Sequence, residues 1–151
     1  MKIVVSACLA GFSCRYDGKA NTVPHIEELY KRNLVLPVCP ECLGGLPIPR
    51  VPCEIAGDKV ISKTGADCTN AYMQGAFIAL QYARFYGAKL AILKAKSPSC
   101  GVGQIYDGTF TRTLIAGDGI FVQMLKANHF FVCTEKDDFG EKFLQTYIGS
   151  K

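Results

Sequence analysis

The 151-residue chain has no low-complexity tract, no sustained run of like charge and no linker-like stretch that would separate two domains. Long disorder and a two-domain layout are therefore not expected. No apolar run reaches the roughly 20 residues that a bilayer-spanning helix needs. The N-terminal MKIVVSACLA also lacks the basic region and longer apolar stretch of an export signal. A cytoplasmic protein with no membrane partner is expected. There is no internal repeat, and the glycine fingerprint GxGxxG is missing after the first apolar run, where SACLAGFSC stands instead. A phosphate-cradling backbone thus has no support in the sequence. The formal charge of +4 comes from 17 Lys and Arg against 13 Asp and Glu, scattered along the chain. Without a basic patch, nucleic acid is not the expected partner.

What remains is a chain 49% hydrophobic and 20% charged, long enough to bury roughly 70% of its unfolded surface around one core. A single domain spanning 1–151 is expected. Four short apolar runs, KIVVS (2–6), LVLPV (34–38), KLAIL (89–93) and FFV (130–132), read as buried strands. Helical stretches separate them. The run 24–32 opens on Pro24, suited to a first turn, and 70–85 places Ala71, Ala76, Phe77, Leu80 and Ala83 on one face. Thr69 or Asn70 is the expected cap of that second helix and Gly87 its stop. A third helix is expected over 118–128, with Ile120, Phe121, Met124 and Leu125 inward, and a fourth over 137–147. Alternating apolar strands and helices specify a mostly parallel sheet covered on both faces. The fold class is α/β, a three-layer α/β/α sandwich of Rossmann-like character. Two segments break the rhythm: the proline-rich stretch 39–68, with a small hairpin expected in DKVISKTG, and the loop 96–116, with a short strand near 111–115. Long structured loops in small domains usually carry function.

Eight cysteines are the residue type that needs explaining. In a reducing compartment they are thiols or thiolate ligands, not disulfides. On the strand scheme Cys8, Cys39, Cys100 and Cys133 each follow a strand, and the carboxyl ends of parallel strands share the edge where α/β proteins build ligand crevices. Thiolates gathered there repel one another unless a positive centre lies among them. Cysteine-only ligation suits zinc or iron–sulfur, and no second CxxC pair stands at zinc-ribbon spacing, so a cluster gathered from distant loops fits better. Glycines 44, 45, 101 and 103 permit close backbone approach, and Pro40 and Pro98 stiffen the same loops. SPSCG (97–101) then reads as a rigid presenter of one thiolate. Cys53 and Cys68, with no strand end or glycine loop beside them, read as small core hydrophobes. Cys133 stands open between ligand and core. Cys42 completes CPEC, but redox CxxC motifs normally enter a helix, and LGGLP follows this one.

The segments SACLAGFSCRYDGKAN, VCPECLGGLPIPR and SPSCGVGQIYDGTF, with GDG at 117–119, together resemble the DUF523 family, whose characterised members include thiouracil desulfidases. The match runs over almost the entire chain. The resemblance implies a [4Fe-4S] cluster held by three cysteines, Cys8, Cys39 and Cys100, with the fourth iron open to the sulfur of a thiolated base. The resemblance also implies that iron would stabilise charge building on that sulfur while water replaces it and hydrosulfide leaves, without net electron transfer. It further implies Glu41 as the acid/base carboxylate and Ser97 as an assisting hydroxyl. Read without the family, Glu41 is a loop acid and Ser97 a turn-stabilising hydroxyl. Cys14, also in the family motif, is ranked below the three ligands as a neighbouring thiol, a transient sulfur acceptor or a disulfide partner. Tyr106 could stack on a flat heterocycle or simply pack. The expected partner is a small thiolated base. The competing functions are an iron–sulfur or zinc carrier without catalysis and a thiol redox protein using Cys39 and Cys42.

Overall fold

The computed structural model describes residues 2–137. The helix expected over 137–147 lies outside them, apart from Asp137. Four strands form one parallel sheet: β1 (Lys2–Ser6), β2 (Val35–Val38), β5 (Ala88–Leu93) and β8 (Phe131–Thr134), in the order β2-β1-β5-β8. β1 pairs with β2 on one side and β5 on the other, so its KIVV run is buried on both faces. Side-chain alternation sends Val4 into one core cluster and Ile3 and Val5 into the other. The first cluster lies between the sheet and helices α3 (Thr69–Tyr86) and α4 (Ile120–Ala127); the second is closed by α1 (Pro24–Lys31). This is the three-layer α/β/α arrangement, with β8 beginning one residue later than FFV implied and enclosing Cys133 instead of preceding it.

The helix signals worked unevenly. Pro24 opens α1, and Gly87, at φ +81°, stops α3. Neither expected hydroxyl or amide caps α3. Cys68 occupies that position, while Thr69 Oγ1 accepts the Val60 N–H at 2.9 Å and approaches Asp67 at 2.6 Å. Phe77 is exposed; the buried stripe of α3 runs through Tyr72, Gly75, Ala76, Ala79, Leu80 and Ala83. Such small residues let α3 lie very close to its neighbours. On α4, Val122 is buried in addition to Ile120, Phe121 and Leu125, and Met124 is half-buried.

The irregular segments hold two hairpins. β3 (Cys53–Ala56) pairs with β4 (Lys59–Ser62) around Gly57, so DKVISKTG supplies only the second strand. β6 (Gln104–Tyr106) pairs with β7 (Leu114–Ala116). CPEC does enter a helix: α2 (Pro40–Leu43) is one turn with Cys39 at its N-cap and Pro40 at its first position. The LGGLP that follows ends it. Gly44 opens its backbone toward α3: a Cβ there would collide with the Ala71 carbonyl, and one on Gly75 would collide with the Pro40 carbonyl. Gly44, expected to permit ligand approach, serves helix contact together with Gly75.

Candidate active site

In the sheet order, the chain moves from β1 out to β2 and then crosses back over β1 to β5. The strand order therefore reverses between β1 and β5, the place where open α/β sheets form a crevice beyond their carboxyl ends. A cavity of about 580 Å³ lies there, lined by Cys8, Cys39 and Cys100 and by Glu41 and Ser97. Cys8 is on the single 3₁₀ turn Ala7–Ala10 leaving β1, Cys39 leaves β2, and Cys100 sits on the turn of SPSC beyond β5. Cys14 and Cys53 share the wall; Cys42 and Cys133 do not line it. Cys53, read as a core hydrophobe, is buried in the core and also reaches the cavity, whereas Cys68 packs half-buried against the same cluster.

The thiols are electrostatically distinct. Burial pushes the Cys8 and Cys100 thiols up, opposed by hydrogen bonding to Asn21 and Ser6 respectively. Cys39 is drawn down to about 6, first by a hydrogen bond from Cys14 and also by the Cys42 backbone N–H at the start of α2. Cys14, donating that bond, stays protonated far above the ordinary thiol range. Burial lifts Cys42 to about 11 and Cys133 to about 12. Among the described residues, no group of three or more His, Cys, Asp or Glu could hold a single metal ion as it stands. Cys8, Cys39 and Cys100 as placed are thus not one ion's coordination shell. A cluster offers a separate iron to each cysteine, which suits Cys8, Cys39 and Cys100 lining one cavity from three strand ends.

Glu41, in the turn of α2, is tightly held. The Tyr72 hydroxyl donates to its Oε1 at 2.8 Å, the buried Ser99 hydroxyl donates to its Oε2 at 3.1 Å, and Arg50 Nε approaches Oε1 at 3.3 Å. Arg50 is anchored in turn by the carbonyls of Pro47, at 3.1 Å, and Cys14, at 2.9 Å. Its side chain is only 6% exposed and that of Glu41 16%, so the ion pair is shielded from solvent. Ser97 does not contact Glu41 directly: its Oγ accepts the N–H groups of Ser99 and Cys100, both at 3.1 Å, which fixes the turn carrying Cys100. The hydroxyl proton of Ser97 is left for a further acceptor. Tyr72, Arg50 and Ser99 were missed in the sequence. Ser99 had a signal in its place within SPSC, whereas Tyr72 is one aromatic among many on a helix.

A partly buried carboxylate beside a crevice of thiols at a strand-order reversal marks the site of an α/β enzyme. The chain matches the 2-thiouracil desulfurase family over residues 3–137 and belongs to it, a family of sulfur-removing enzymes. It is 39% identical to the protein YbbK of Bacillus subtilis (strain 168), the match covering 89% of this chain and 96% of that one. Its fold is also that of a solved structure, the [4Fe-4S]-dependent thiouracil desulfidase TudS, at a TM-score of 0.87 and 37% identity over 99% of both chains. Among the described residues, no helix is long and apolar enough to cross a membrane.

Proposed function

We propose that this enzyme hydrolyses the thiocarbonyl of a thiolated pyrimidine base such as thiouracil, with a [4Fe-4S] cluster held by Cys8, Cys39 and Cys100. The observation that carries the reading is that these three cysteines, Glu41 and Ser97 all line one cavity at the strand-order reversal. Hydrolysis converts C=S and water into C=O and hydrogen sulfide, so no oxidant or reductant enters. The cluster, when bound, supplies an electron-withdrawing iron site for the sulfur.

The protein's own groups do the rest. Glu41 accepts a proton from the attacking water. Tyr72, Ser99 and Arg50 fix the direction of its carboxylate, which removes the reorganisation that a freely rotating acid would need. Ser97 holds the Cys100 turn through its oxygen and directs its remaining proton toward the cavity contents. The half-buried Lys94, paired with Glu135 at 3.0 Å, lies on the same wall, where its charge favours thiolate at Cys8 and that of Glu135 opposes it.

Anaerobic reconstitution tests this reading. Iron and sulfide should reach cluster stoichiometry in the native chain and fail to do so when Cys8, Cys39 and Cys100 are replaced together by alanine. Loaded protein should release hydrosulfide from 2-thiouracil. Cluster binding without release would favour a carrier instead. One observation favours a thiol redox reading: Cys39 and Cys42 bracket a helical turn, as redox CxxC pairs do. That reading requires activity in metal-free protein and its loss in Cys42→Ala, whereas cluster hydrolysis leaves Cys42→Ala only mildly affected.

A further inference from the structure

Five non-glycine residues among those described have positive φ: Asn33, Lys96, Phe110, Arg112 and His129. Asn33 and His129 are ordinary helix terminators. Each lies two residues past α1 or α4, and the residue after it donates its N–H back into the last helical turn, Leu34 to Leu29 and Phe130 to Leu125. The other three, Lys96, Phe110 and Arg112, all line the single cavity described above. A bulky aromatic at φ +58° is a true outlier, and such conformations persist only where the surroundings over-determine them.

The surroundings of Phe110 do so. Glu54 Oε1, on β3, accepts both the Gly108 N–H at 3.0 Å and the Phe110 N–H at 3.1 Å. Gly108, at φ +94°, sits so close to β3 that a Cβ would lie 2.8 Å from the Cβ of Ala56. The Asp107 N–H closes the loop on the Thr113 carbonyl at 3.0 Å, and the hydroxyls of Thr109, Thr111 and Thr113 run in a hydrogen-bonded series at 2.6 and 2.8 Å. Nothing in this loop binds to a strand of the main sheet or completes its core. The product of this bonding is a fixed backbone that presents Phe110 at the wall of the cavity, which Tyr106 also lines.

We propose that Phe110, held against the cavity by the loop 107–113 that Glu54 clamps, stacks on the flat face of the substrate's heterocycle and sets preference for it. This rests on the desulfidase reading for the identity of the heterocycle. Stacking of an aromatic on a base is worth about 1–3 kcal/mol, so loss of the ring raises KM by roughly tenfold or more while chemistry at the sulfur continues. Glu54 also lines the cavity, and in this proposal it acts through the loop it clamps, as a positioning residue.

The chain contains no tryptophan, so Phe110→Trp introduces a single reporter at the proposed contact. In cluster-loaded protein its emission should fall saturably as uracil, which carries no sulfur to react, is added. Phe110→Ala should raise KM for 2-thiouracil about tenfold with kcat within about threefold of wild type. Glu54→Ala should raise KM similarly. Glu54→Gln, whose amide oxygen still accepts both N–H groups, should restore it. An unchanged KM in Phe110→Ala, or tryptophan emission indifferent to uracil, overturns the proposal. Should Phe110→Ala fail to fold by circular dichroism, the fluorescence titration decides alone. Wild-type protein that releases no hydrosulfide would remove the desulfidase reading, and the uracil titration would still decide for or against stacking.

Discussion

Glu41 concentrates what a single side chain contributes. Its carboxylate receives hydrogen bonds from residues 31 and 58 positions away along the chain, Tyr72 and Ser99, and an ion pair from Arg50. Replacing it with glutamine keeps the size and planar shape but turns one acceptor oxygen into an NH2 donor and removes the proton acceptor. Glu41→Gln should therefore lower kcat by about 100-fold or more, with iron content unchanged by colorimetric assay. Tyr72→Phe deletes one hydrogen bond and leaves the ring in place. That should lower kcat by roughly tenfold, the equivalent of about 1.4 kcal/mol, in steady-state hydrosulfide release. A third expectation concerns the thiols. With Cys39 drawn down to about 6 and Cys133 pushed up to about 12, Cys39 is mostly thiolate above pH 6 while Cys133 remains a thiol at any ordinary pH. In metal-free protein, iodoacetamide followed by peptide mapping at pH 7 should label Cys39 well ahead of Cys133, and labelling of Cys39 should slow as pH falls through 6. The strand ends that carry Cys8, Cys39 and Cys100 were readable in the sequence because each follows an apolar run with recognisable borders, whereas Glu41 stood out only through the family resemblance. The partners of Glu41 were not readable, since hydrogen bonds across such chain separations depend on how helices and loops dock.

At the scale of elements, the short helix α2 matters beyond its four residues. It carries Glu41 and Cys42 directly behind Cys39, and it is seated on α3 through Gly44 and Gly75, whose missing side chains let backbone meet backbone. An alanine at Gly75 must push α2 away from α3, because the obstructing atom is the Pro40 carbonyl and not a flexible side chain. Gly75→Ala should destabilise the fold by about 1–3 kcal/mol, read as a lower urea midpoint. Because the displaced element bears the carboxylate, kcat should fall as well. The four strands of the main sheet were legible element by element, with borders right to within two residues, since β-branched apolar runs have few alternatives in a buried parallel sheet. The faces of α3 were read less well. Its buried stripe is made of alanine, glycine and a tyrosine, and an apolar-periodicity reading gives more weight to the large Phe77, which lies outside. CPEC was misjudged for a related reason. A single turn begun by proline and ended by glycine leaves too short a pattern for periodicity to register.

Across the whole molecule, the sheet order β2-β1-β5-β8 determines where chemistry can occur, because its reversal beside β1 is what gathers the ends of three strands at one crevice. That order followed from alternation of strand and helix only as a class; no residue pattern announces that β5 lies beside β1. The two core clusters sit on opposite faces of the sheet, and most of their members are aliphatic or aromatic side chains remote from the crevice. Removal of iron by a chelator should accordingly abolish hydrosulfide release while far-ultraviolet circular dichroism is retained.

The thiols proposed as ligands belong to residues 8, 39 and 100, each delivered by a different strand end. A peptide emerging from the ribosome has no such triplet until its last sheet strand but one is in place. Maturation is thereby given a sequence in time: β1, β2 and β5 must come together first, and whatever donates the inorganic centre meets a receptacle already assembled from them.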